Sequence, residues 1–99
     1  MLLPHAHTLA QARTYLAALA DEASNDDASS GYENVLIELD RIHRDESPDV
    51  YLETVTQDRD IQYDTAVAAI EALKEHGVDP LSVELLLWRL EDAYTQDCA

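Results

Sequence analysis

Two glycines and three prolines in 99 residues leave this chain few places to turn. A turn-rich all-β domain or a long disordered linker needs many more such breakers. Between them, apolar residues recur at three- and four-residue steps, the period of one face of a helix. The expected fold is therefore all-α, a compact bundle of four to five short helices. The length suits one domain better than two. Residues 1–99 are read as a single acidic helical domain whose ends, 1–7 and 95–99, fray.

The first predicted helix begins at Thr8, which forms a T-x-x-Q capping box with Gln11. Leu9, Ala12, Leu16, Leu19 and Ala23 then share one face. From Ser24 to Gly31 the periodicity stops and turn formers dominate, so this stretch reads as a loop. A second box, Ser30 with Glu33, opens the next helix, with Tyr32, Val35, Leu36, Leu39 and Ile42 as its apolar stripe. Asp40 with Arg44, and Arg41 with Asp45, are four-residue charge pairs on the same helix.

Ser47-Pro48 then has the form of an N-cap followed by proline at the first helical position. Val50 to Thr56 has the β-branched content of a strand, yet no second strand is visible to pair with it, and a short helix is expected. The next helix starts near Asp58 or Asp60 and turns Tyr63, Ala66, Val67, Ile70 and Leu73 inward. It stops at Gly77, a C′ glycine, with Val78 supplying the hydrophobic contact that follows such a stop. Asp79-Pro80 restarts the chain as N-cap and N1.

The last predicted helix carries Val83, Leu86, Leu87, Leu90 and Tyr94 on one face, and a second apolar row, Leu81, Leu85 and Trp88, on another. A helix apolar on more than one face is central to its bundle or buried in a partner. Trp88 accordingly has two readings, core residue or interface anchor.

No catalytic constellation stands out. The single cysteine, Cys98, excludes an internal disulfide framework and a zinc site built on several thiolates. A catalytic thiolate also needs a positioned histidine, which a frayed end does not supply. His43 and His76 fall near predicted helix C-termini, where a partial positive charge complements the dipole. His5 and His7 lie two apart before the first helix, and no HExxH or Glu-x-x-His motif supplies further metal ligands. Gly31 and Gly77 read as punctuation, so no glycine loop cradles a phosphate. The chain is expected to be no enzyme and to hold no cofactor or metal.

Charge is what remains. Six basic residues face 21 acidic ones, a net charge of −15, which excludes nucleic-acid binding through a basic surface. No apolar run approaches the roughly 20 residues of a membrane span, and the start lacks the features of a signal peptide. A cytoplasmic location is expected. Asp64, Glu71 and Glu75 fall on one side of their helix, opposite its apolar face, with Asp58 and Asp60 before them. Asp64 to Glu71 spans roughly 10 Å along the axis, about three phosphate steps of one DNA strand. One-signed fields steer basic partners and raise association rates.

Two functions fit this pattern, and a third, an enzyme or metal protein, would require His5, His7, His43 and His76 to converge with carboxylates. The first is a non-catalytic acidic module that blocks or escorts a basic nucleic-acid-handling protein, as anti-CRISPR, anti-restriction, nuclease-immunity or DNA-mimic proteins would. Its contacts would be Asp58, Asp60, Asp64, Glu71 and Glu75, with Leu81, Leu85 and Trp88 as an apolar anchor beside Glu84. The second is a regulatory or structural helical protein of a salt-adapted cytoplasm, with a homodimer through the last helix as one form of it, whose acidity serves solubility. The choice of five arginines and one lysine, Lys74, suits that setting.

Overall fold

In a computed structural model, residues 3–43 and 58–98 are described. They form four α-helices: α1 (Leu3–Asp21), α2 (Asp26–Ile42), α3 (Arg59–Ala72) and α4 (Pro80–Asp97). A 3-10 turn, Leu73–His76, follows α3 directly. The fold is all-α and bundle-like, with no strand among the described residues. The expected short helix over Val50–Thr56, its Ser47-Pro48 cap and the Arg44 and Asp45 pairs lie outside those residues.

The core follows the expected stripes. Leu9, Ala12, Leu16 and Leu19 of α1 meet Tyr32, Val35 and Leu39 of α2, Ala66 and Ile70 of α3, Leu73, and Val83, Leu86 and Leu90 of α4. Leu36, Tyr63, Val67 and Leu87, expected inside, are half-buried at its margin. Ile42, also expected inside, remains 38% exposed at the end of α2. The largest contacts join α1 to α3 and α2 to α4.

Two helix starts differ from expectation. α1 begins at Leu3 rather than Thr8. A proline near a helix start has no intrahelical N–H to lose, and His5 packs onto the far end of the bundle, as described below. α2 begins at Asp26, because Asn25 is the cap: its side-chain oxygen accepts the Ala28 N–H at 2.8 Å. Ser30 and Glu33 are therefore interior, and the expected eight-residue loop contracts to the turn before Asp26. Gly31 is no punctuation mark either. A Cβ placed there would sit 2.8 Å from Ala93 Cβ, so the missing side chain lets α2 and α4 approach closely.

The second half matches its pattern. Asp58 caps α3, accepting the N–H groups of Asp60 at 2.9 Å and Ile61 at 3.3 Å. Gly77 adopts φ +93°, and the Val78 N–H bonds the Leu73 carbonyl at 3.2 Å, a Schellman-type stop. Val78 packs against the core as expected. Pro80 occupies the first turn of α4, although Asp79 makes no side-chain cap to the backbone and accepts from the Ser82 hydroxyl at 3.3 Å.

The far end of α4 does not fray. Asp97 is 2% exposed and ties the helices together. Its carboxylate accepts the Ser24 N–H at 2.7 Å and the Tyr32 hydroxyl at 2.9 Å, while Arg59 Nε lies 3.4 Å away. The Ser24 hydroxyl donates to the Asp97 carbonyl at 2.6 Å, and Asn25 Nδ2 to that of Gln96 at 3.1 Å. Burial alone would raise the Asp97 pKa, but the Ser24 and Tyr32 hydrogen bonds and the Arg59 charge together hold it below the ordinary aspartate range. The same burial, with the bond to Asp97, pushes the Tyr32 phenol well above its usual range.

A carboxylate whose pKa falls on folding stabilises the protein above the unfolded value, about 3.9, and ceases to do so as pH falls through the folded one. Asp97→Asn should cost about 2–4 kcal/mol at neutral pH by loss of charged hydrogen bonds. The gap between wild type and variant, followed by thermal unfolding, should narrow below about pH 4. A gap independent of pH would show that the charge of Asp97 contributes nothing.

Candidate partner interface

The carboxylates expected on one face of α3 do lie there, but they divide by role. Asp58 is engaged as the cap of α3. Asp60 accepts a hydrogen bond from the Tyr94 hydroxyl of α4. Asp64, Glu71 and Glu75 are exposed and form no ion pair among the described residues. Ala66, Ala69 and Ile70 fill the opposite, buried side of α3, so the helical period alone directs Asp64 and Glu71 to solvent.

The acidic face continues across the α3–α4 seam. Tyr63 and Tyr94 stack there with ring centroids 4.0 Å apart and planes 19° apart. Burial, then the charges of Glu91 and Asp64, raise the Tyr63 pKa, which places carboxylates of both helices beside this seam. The bond to Asp60, with burial and the proximity of Cys98, raises that of Tyr94. Stacked tyrosines thus join the carboxylate row of α3 to the outer face of α4.

On that outer face the second apolar row is uncovered. Leu81 is 63% exposed, Leu85 46% and Trp88 70%. The reading of Trp88 as core is thereby overturned. At about 100° per residue, Val83, Leu86, Leu90 and Ala93 take the inward side of α4, and Leu81, Leu85 and Trp88 fall nearly opposite. Glu84, Glu91 and Asp92 are exposed around them. Trp88, Glu91, Asp92 and Thr95 line a shallow recess at one end of the row. At its flank a notch between α2 and α4 is lined by Glu38, Ile42, Ser82, Leu85, Leu86 and Arg89.

Three of the four histidines whose convergence a metal or catalytic reading would require do come together. His43 and His76 do sit at a helix end and in the 3-10 turn, but the fold also brings His5 to them. His5 Nε2 and His43 Nε2 are 3.2 Å apart, and the His5 and His76 rings stack with centroids 5.1 Å apart and planes 4° apart. His43 is buried, and its Nδ1 lies 3.0 Å from the Leu39 carbonyl. A carbonyl only accepts, so Nδ1 carries the hydrogen there. Parallel rings cannot aim in-plane lone pairs at one point. Accordingly, no group of three or more His, Cys, Asp or Glu among the described residues is arranged to hold a metal ion. His7 is exposed, outside this cluster. The only sequence signal for the contact is that His5 and His43 lie at nearly equal distances from the α1–α2 turn, which a helical hairpin brings level.

No helix among the described residues is long and apolar enough to cross a membrane. No protein-family profile, curated protein or solved structure matches the chain.

The contrast between the two sides of α4 is open to direct measurement. Trp88→Ala should change stability by no more than about 0.5 kcal/mol, as surface substitutions do. Leu90→Ala, from the buried side, should cost about 2–5 kcal/mol. Denaturant unfolding of both variants reads the difference, and a comparable loss at Trp88 would place that side chain inside.

Proposed function

We propose that this protein is a non-catalytic acidic binding module that captures a basic protein, as an inhibitor or antagonist of a nucleic-acid-handling partner of the anti-CRISPR, anti-restriction, nuclease-immunity or DNA-mimic type. The observation that carries this reading is the uncovered row of Leu81, Leu85 and Trp88, rimmed by Glu84, Glu91 and Asp92. Aromatic residues in the centre of a polar rim are where interface energy concentrates. The rim and the exposed Asp64, Glu71 and Glu75 of the same chain carry one sign of charge, which selects a cationic partner and accelerates its encounter.

The rival reading, acidity that serves solubility in a salt-adapted cytoplasm, draws support from the choice of arginine over lysine. It accounts for scattered carboxylates, but it explains a tryptophan 70% exposed on the face opposite the core only if a second copy covers it, which would bring two chains of net charge −15 together. Solubility argues for removing such a group.

The test uses purified basic nucleic-acid-handling proteins titrated against the chain over a range of salt. Binding should weaken steeply as salt rises. The triple variant Asp64→Asn, Glu71→Gln, Glu75→Gln should bind at least about tenfold more weakly and with a flatter salt dependence. Unchanged binding by that variant would remove α3 from the interface. Absence of binding to every such protein at low salt would sink the proposal.

A further inference from the structure

The notch beside the apolar row indicates what kind of surface fits it. It lies between two helices that pack against each other, with Leu86 as its buried floor and Ile42 and Leu85 as half-exposed walls. Its volume is about 80 Å³, against roughly 30 Å³ for one water, so it admits a branched aliphatic group. From this notch the apolar surface continues over Leu85 to Leu81 and Trp88, whose positions span roughly 10 Å of helix axis. A straight ridge beside an interhelical groove is the form a third helix packs into. The described residues offer no sheet edge to which an extended strand could add.

Charge then chooses the occupant. Glu84 and Glu91 border the row on the side of α3, and Asp92 follows the row toward the C-terminus, while Glu38 of α2 on the other side is paired with Arg41 at 2.9 Å. A second copy of this chain would bring two such rims and two net charges of −15 together, which repel within a Debye length of about 8 Å. A partner with lysines or arginines beside its apolar stripe meets the same rim with opposite sign. Arg89, the one cation in the notch lining, favours the negative C-terminal end of a helix or an acidic side chain there, and so sets the direction of docking.

We infer that the α2–α4 groove and the Leu81–Leu85–Trp88 row together receive a cationic amphipathic α-helix of the partner, with one aliphatic side chain seated between Ile42 and Leu85. This rests on the acidic-module reading and specifies what that module recognises: apolar anchors at helical spacing flanked by positive charge. Charge alone is insufficient.

Trp88 is the only tryptophan, so its emission reports directly on the site. The probe is a synthetic peptide of roughly 18 residues with leucines at i, i+3, i+4 and i+7 spacing and lysines elsewhere, the pattern of helix-in-groove ligands. It is compared with a scrambled peptide of identical composition. The amphipathic peptide should shift the emission to the blue and saturate, and the scrambled one should bind at least about tenfold more weakly. Leu85→Asp, at a half-exposed position whose folding is checked by circular dichroism, should weaken the amphipathic peptide by a similar factor.

Equal binding of the two peptides would overturn the helix-docking inference while leaving an acidic module intact. Binding of neither would overturn the helix-docking inference, whereas the acidic-module reading falls only with the titration against basic proteins. Sedimentation of the chain alone as a dimer that Leu85→Asp dissociates would assign the groove to a second copy instead, and would also overturn the inference.

Discussion

A buried carboxylate near one end of the bundle fixes the relation of all four helices. Asp97 belongs to α4, yet its partners are Ser24 in the turn between α1 and α2, Tyr32 of α2 and Arg59 at the start of α3. An ionised group removed from water is stable only when its acceptor sites are filled by well-placed donors. The tie therefore specifies one rotation of α4 about its axis more sharply than the interchangeable leucines of the core can. With that rotation set, Val83, Leu86 and Leu90 face the core and Trp88 must face out. The Gly31–Ala93 approach enforces the same arrangement by contact: a methyl group at position 31 would push α2 and α4 apart.

The second half of the fold was the more legible in the sequence, for physical reasons. Asp58, Gly77 and Pro80 act through local backbone chemistry, so a cap, a left-handed stop and a first-turn proline mean the same thing in a sequence as in a fold. The helical period likewise suffices to place Asp64 and Glu71 opposite Ala66 and Ile70. Gly31 was opaque because its role depends on Ala93, 62 positions away. The same is true of Asp97, which by position looked like part of a fraying end, and of His5, which meets His43 only once the α1–α2 turn is correctly placed. Trp88 was ambiguous because apolar rows on two faces of a helix do not reveal which one the bundle covers.

Electrostatics and shape lead to a common conclusion about the outer surface. Two of the carboxylates expected to meet a partner serve the fold itself: Asp58 caps α3 and Asp60 receives the Tyr94 hydroxyl. The rest stand outward, and Glu91 and Asp92 line a recess with the exposed Trp88. Repulsion among so many anions opposes compaction, and the buried Asp97 network and the leucine core act against it. A surface that retains both that repulsion and an exposed aromatic row is understandable if each feature contributes to binding a cation-bearing partner.

The most direct test of that account is thermal unfolding by circular dichroism at low, physiological and molar potassium chloride, where the Debye length falls from about 30 Å to about 3 Å. An acidic surface built to meet a basic partner predicts a chain already firmly folded at physiological salt, with molar salt adding little. A chain that stays unfolded until salt is molar would contradict it. The acidity would then belong to the protein's environment, and the exposed face of α4 would have to be explained without a basic partner.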